Sequence, residues 1–248
     1  MQRKAVRIGL GKKEVKRSSA LSFTGVLLLI LAAVLIGVYF VTTDENIQRW
    51  YAMYEKLLYD IDMAILSIGD NGIIVFVIFA LYVMRCFIPV ITVPALCVLS
   101  GMVFPTTEAM FVNIIGCVIM LTVKYKFGVR FGGGNAYRLL RKNSVSRMLI
   151  ERKGSGNPWV LFIFRFIPCF PINPVSQMYG AMGYDLWKYL VISIIGFMPK
   201  LLSYTFIGVY AFDPLSLKFF LPFIILFAVS GTSILILNAI LNKIEKNS

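Results

Sequence analysis

Three cations stand where an apolar chain has little reason to keep them. Arg85 lies in the apolar run 73–104, Arg165 opens "RFIPCFPINPVSQMYGAMG" (165–183), and Lys200 follows Pro199 inside "YLVISIIGFMPKLLSYTFIGVY" (189–210). A charge at membrane depth is costly and by default marks a site facing a bundle interior or a water-filled cavity. The guanidinium stays charged and matches a phosphate with two parallel hydrogen bonds. No acid lies between Asp70 and Glu108, or from Arg165 up to Asp185, so a phosphate headgroup would supply the missing charge. Each arginine is followed by prolines: Pro89 and Pro94 after the first, Pro168, Pro171 and Pro174 after the second. The pair Asn173-Pro174 has the form of a helix N-cap and first helical residue. Pro94 offers the same kind of start, with Thr92 nearby as a weaker cap. Two such starts would aim free amides and positive dipole ends at the membrane interior. The residues therefore predict a phosphate held by Arg85 and Arg165 between the starts at Pro94 and Asn173-Pro174, with Ser176 beside it and Lys200 lining the path. The competing readings are that the prolines only kink helices, that Arg165 or Arg85 snorkels to an interface, and that Lys200 reaches water or pairs with Asp62 or Glu108.

Composition says what positions these groups. The chain has 248 residues, 58% hydrophobic and 15% charged, with a mean hydropathy of +0.80, the profile of an all-α integral membrane protein. It has no histidine, and its four cysteines (86, 97, 117 and 169) are isolated in apolar runs. A thiolate metal site, a disulfide framework and histidine acid–base chemistry are not expected, nor is any cofactor. Without a nucleophile–base pair an enzyme is the least expected class.

The net charge of +13 is distributed by topology. Residues 1–20 carry seven Lys or Arg against Glu14 and precede the charge-free run 21–41, long enough to span a ~30 Å hydrocarbon core, so they form a basic cytoplasmic tail. Residues 42–70 hold six acids against Arg49 and Lys56, which fits an external segment; Ile47, Trp50, Tyr54, Leu57, Leu58 and Ile61 give it an amphipathic period. Residues 124–153 carry nine Lys or Arg against Glu151 and belong to a cytoplasmic loop, 124–157, facing anionic lipid. No nucleic-acid partner is expected.

The run 73–104 would reach about 48 Å as one straight helix, too long for the core, so it must bend. With a helix at 107–123 delivering the chain to the basic loop, residues 71–106 begin and end outside, a re-entrant hairpin with its prolines at the tip. Residues 158–184 likewise leave and return to the cytoplasm. Helices at 189–210 and 219–241 complete four spans and two opposed hairpins, with both termini inside and 211–248 holding the last helix and tail. Six full crossings are the alternative.

An 80-residue displacement pairs Arg85 with Arg165, Pro94 with Pro174, Met102 with Met182, 114–116 with 194–196, Leu121 with Leu201, and Gly128 with Gly208. Because the copies enter from opposite faces this is an inverted repeat, the layout that places transporter sites at the midplane between broken helices.

"FRFIPCFPINPVSQMYGAMG" and "IIGFMPKLLSYTFIG", with "IPVITVPALCVLSGMVFP" and "YKFGVRFGG" before them, resemble the VTT domain of the SNARE-associated Golgi protein family and, more distantly, the bacterial DedA proteins. The likeness covers roughly 70–210 and rests on Arg165, Pro168, Pro171, Gly180, Gly196 and Pro199, with Gly101 and Gly183 as small turns. It implies a 71–210 core of two opposed hairpins that moves lipids across a bilayer, as a phospholipid scramblase or flippase or in polyprenyl-phosphate recycling, and a bacterial plasma membrane. Ser176 stands where members often have Asn. The acid-free first hairpin departs from the DedA pattern linked to proton coupling, which favours a passive or differently driven scramblase. A small-ion or anionic-solute transporter and a non-transporting scaffold are the alternatives.

Overall fold

A computed structural model describes residues 20–37, 56, 59, 63, 71–88, 90–142, 150, 156–167, 170–213 and 216–246, and every regular element among them is helical. The helices are α1 (Ala20–Gly37), α2 (Asn71–Met84), α3 (Val93–Val103), α4 (Thr106–Phe131), α5 (Gly134–Lys142), α6 (Pro158–Phe166), α7 (Ile172–Ala181), α8 (Leu186–Val209) and α9 (Leu217–Lys246). Four are long and apolar enough to cross a bilayer: α1, α4, α8 and α9 over Leu217–Ala239. The chain is a multi-pass membrane protein. The segment 42–70, expected to be external, falls, apart from Lys56, Tyr59 and Met63, outside the described residues, as do Pro89 and Pro168.

The apolar run 73–104 does break, into α2 and α3 with 85–92 between them, and 158–184 breaks into α6 and α7. None of the four pieces is longer than 14 residues. At 1.5 Å per residue each is too short to cross a ~30 Å core alone. The helix expected at 107–123 runs instead from Thr106 to Phe131, so the first residues assigned to the basic loop are helical. Lys124 looked like a loop cation, but it is buried with its Nζ over the rings of Phe87 and Phe127, and the helix stops only at Gly132, where φ is +74°.

The 80-residue displacement relates packing as well as residue types. A methyl on Gly180 of α7 would overlap the Tyr125 carbonyl oxygen of α4; a methyl on Gly101 of α3 would overlap the Thr205 carbonyl oxygen of α8. Tyr125 and Thr205 are equivalent under the displacement, and Gly101 lies one position from the equivalent of Gly180. Gly128 meets the Gln177 carbonyl and Gly208 the Val98 carbonyl in the same way. Each copy's long helix therefore crosses the short helix of the other copy, at sites where only a missing side chain lets the backbones touch. Within each copy a glycine of the long helix seats the arm that precedes it, Gly116 against Tyr82 and Gly196 against Arg165, where an added methyl would stand 2.6 Å from the arginine Cβ. The core lies along these crossings, with Ile78, Tyr82, Cys97, Cys117, Met120, Val175, Tyr179 and Tyr189 all buried.

Candidate anion pocket between two helix starts

The short helices begin differently from each other. Thr92 caps α3: its backbone is extended (φ −103°, ψ 149°), its hydroxyl accepts from the Ala95 N–H at 3.4 Å, and Pro94 sits in the first turn. In α7 the cap position is Pro171, two residues earlier than Asn173-Pro174 requires. Asn173 is not the N-cap. Pro171 presets an extended approach (φ −71°, ψ 126°), and Pro174 is tolerated in the first turn because amides there have no partner inside the helix. The Asn173 side chain turns to the other copy, its Nδ2 donating to the Cys86 carbonyl at 3.3 Å. At the far end of α7, Gly183 takes the left-handed conformation (φ +64°) that returns the chain, and the Gly183 and Tyr184 amides donate back to Gly180 and Tyr179.

A pocket of about 140 Å³ opens where these starts meet the middle of α8. Val93 and Pro94 line it from α3, Phe170 and Ile172 from the approach to α7, and Phe197, Lys200, Leu201 and Tyr204 from α8. Lys200 is the one charged side chain in that lining. Its Nζ donates to the Arg165 main-chain carbonyl and lies 4.8 Å above the Phe197 ring; of the two acids in the competing reading, Glu108 is exposed and Asp62 lies outside the described residues. Pro199 lies inside α8 directly before it and removes one rung of the backbone ladder at that depth.

Arg165 occupies a different place. It is 0% exposed, which rules out snorkelling to an interface, and it does not line the pocket. Its Nε donates to Ser193 Oγ (3.2 Å), Nη1 to the Ile172 carbonyl (3.1 Å), and Nη2 to both Ser176 Oγ (2.8 Å) and Tyr189 OH (2.8 Å). The rings of Tyr189 and Phe197 lie 5.6 and 5.3 Å from Cζ. Four of its five donors are thus used, all on neutral groups from α7 and α8. In the structure Arg165 and Ser176 tie the second hairpin to α8, with hydroxyls and a carbonyl as the acceptors of Arg165.

Arg85 differs again. It follows α2 in a turn, is half-buried, and its Nε is buried without a hydrogen-bond partner. Of the three cations, only Lys200 lines the pocket.

Sequence reasoning passed over a second buried network. Asn113 Oδ1 accepts from Tyr82 OH (3.0 Å) and from Ser100 Oγ, while Nδ2 donates to Thr205 Oγ1 (2.8 Å) and to the Cys97 carbonyl (3.3 Å). It joins α2, α3, α4 and α8. Asn113 is the 80-residue equivalent of Ser193, so comparing unlike polar residues at equivalent positions, and not only identities, would have found both.

The family model described as the VTT domain matches residues 88–210. Neither the curated proteins nor the solved structures contain a match to the chain.

Proposed function

Because the chain carries a VTT domain over residues 88–210, we propose that it moves phosphate-bearing lipids between the leaflets of a membrane. The observation that carries this reading is the pocket, which two helix starts from opposite copies and one lysine line together. Its volume takes a headgroup phosphate while acyl chains stay in the bilayer. The helix starts bring the positive ends of two dipoles, and Lys200, which holds the Arg165 carbonyl with one donor, brings a full charge. The basic charge of residues 1–20 and of 124–153 supports cytoplasmic termini and hairpins entering from opposite faces, in an inverted repeat with the pocket near the midplane. In this reading anionic lipid gathers at the basic cytoplasmic surface and the host membrane is a bacterial plasma membrane.

A second reading, transport of a small anionic solute, is favoured by the pocket's modest size alone. Reconstitution separates the two. Vesicles carrying the full chain and an acyl-labelled phospholipid should show fast leaflet exchange by outer-leaflet bleaching. Lys200→Met should slow it at least about tenfold, since a charge-assisted hydrogen bond is worth roughly 1.5–3 kcal/mol and 1.4 kcal/mol is a factor of ten. Phosphate flux without lipid exchange would overturn the lipid reading in favour of the solute.

A further inference from the structure

The turn after α2 is clamped from two sides. Cys86 Sγ donates to the Met120 carbonyl at 3.5 Å, and the Cys86 carbonyl accepts from Asn173. One helical turn beyond Met120, Lys124 places its Nζ 5.0 Å from the Phe87 centroid and 4.9 Å from that of Phe127. The two rings stand edge to face, their centroids 6.4 Å apart. The turn 85–87 is thus pinned on α4 beside Lys124, and Arg85 and Lys124 feel each other's charge.

Among the described residues neither cation has an anion. Lys124 is 7% exposed and makes no ion pair or side-chain hydrogen bond among the described residues; its contacts are the two ring faces. Arg85 has none either, and its Nε is orphaned although buried. On the other side of the Cys86 carbonyl, Asn173 Oδ1 is buried and unpartnered as well. An orphaned donor and an orphaned acceptor flanking one clamped carbonyl, with two like charges in apolar surroundings, is an arrangement that leaves the bare protein worse off. Nearly all buried polar groups find partners, and close unpaired like charges raise the free energy. Arg165, the repeat equivalent of Arg85, shows what a satisfied arginine looks like in this fold. At the positions of its partners Ser176 and Tyr189 the first copy has Leu96 and Ala109, so the first copy lacks those two hydroxyls for Arg85.

We propose that Arg85 and Lys124 form a second anion site, taking the phosphate group of a lipid headgroup or a free phosphate, with Asn173 Oδ1 accepting from a hydroxyl, an amine or a bound water beside it. The site lies across the first turn of α7 from the Lys200 pocket: Ile172 lines the pocket and the next residue, Asn173, bonds to the Cys86 turn. As an anion site it stands alone. As a second station for a headgroup passing through the protein it rests on the lipid-transport reading.

The test is equilibrium binding to the purified full chain in a neutral, phosphate-free maltoside detergent. The probes are radiolabelled inorganic phosphate and short-chain phosphatidic acid. In the Lys200→Met background, which silences the pocket, one saturable site should remain. Arg85→Gln or Lys124→Met in that background should weaken it at least about tenfold, and Arg85→Lys and Lys124→Arg should restore most of the loss. Thermal midpoints within a few degrees of wild type verify that the variants fold. Competition of phosphatidic acid with phosphate assigns the site to a headgroup; phosphate binding without competition assigns it to a solute. Unchanged affinity in the Arg85→Gln, Lys124→Met double variant, or no binding of either probe by wild type, overturns the site. Binding that persists in a protein unable to exchange lipid between leaflets overturns the transport reading and leaves the site standing.

Discussion

Arg85 and Arg165 are the same residue at equivalent places in two copies of one motif, and the fold uses them in opposite ways. Arg165 is enclosed and donates to four neutral acceptors; Arg85 is half-buried and, among the described residues, donates to none. The difference comes from neighbours, not from the arginines. The second copy supplies Ser176, Tyr189 and Ser193, whereas the first has Leu96, Ala109 and an Asn113 already committed to Tyr82, Ser100, Cys97 and Thr205. A buried cation is thus not by itself a binding group. It becomes structural where the protein supplies acceptors and stays available for a ligand where it does not.

The largest expected effect breaks this contrast directly. Arg165→Met takes the shared donor from Ser176, Ser193 and Tyr189, while the Ile172 carbonyl keeps Ser176 Oγ, and at about 1–3 kcal/mol for each buried group it should give a large drop in the thermal midpoint of the purified protein. Arg165→Lys should rescue little, because one ammonium cannot reproduce a planar fork reaching two helices. Arg85→Met should change stability by no more than about 0.5 kcal/mol, because there is no partner to lose. Equal losses at the two positions would mean that Arg85 has protein partners after all.

The crossings give the next largest effect, and here the copies should agree. Gly180→Ala and Gly101→Ala each drive a methyl into a backbone carbonyl oxygen, which cannot swing aside as a side chain can. Overpacking of this kind costs about 1–3 kcal/mol. Similar losses at both sites would support the equivalence of the crossings; tolerance at one would show that its helices can separate.

How much of this could be read beforehand follows from which interactions leave a local trace. The broken apolar runs, the spans and the three cations were visible because Arg, Lys and Pro are conspicuous in an apolar background. Helix α4 was cut short because Lys124, Lys126 and Arg130 look like a loop when nothing reveals that Phe87 and Phe127 bracket the first of them. The acceptors of Arg165 were invisible for the opposite reason. Ser193 and Tyr189 sit in an apolar helix where they resemble packing residues, and only the approach of α6 to α8 at Gly196 turns them toward a charge. The start of α7 was misplaced because Asn-Pro is a strong local cap signal, while Pro171 had already fixed the entry and a tertiary bond to Cys86 claimed the Asn.

Between Asn113 and Ser193, equivalent polar positions on the long helices, the larger loss should follow Asn113→Leu. That change removes the partner shared by Tyr82 OH, Ser100 Oγ and Thr205 Oγ1, which keep only Cys97 Sγ and the carbonyls of their own helices, and about 1–3 kcal/mol is expected for the loss of the network's centre. Ser193→Ala removes one acceptor from an arginine that keeps three others, and about 1 kcal/mol is expected. Chemical unfolding in mixed micelles would rank them, and a larger loss at Ser193 would reverse the view that Asn113 is the more connected joint.

The smallest effects lie at the two helix starts. Thr92→Val removes a long capping bond of 3.4 Å from α3 and should cost no more than about 1 kcal/mol. Asn173→Ala removes a bond to Cys86 but also deletes the buried, unpartnered Oδ1, so the two terms offset and stability should hardly move. The clamp on the 85–87 turn would nevertheless loosen, so anion binding at Arg85 and Lys124 should weaken while the thermal midpoint stays put. Threonine at the first start would then act on the fold alone, and asparagine at the second on the ligand through the fold. A shift of the midpoint with no change in binding on Asn173→Ala would exchange those roles.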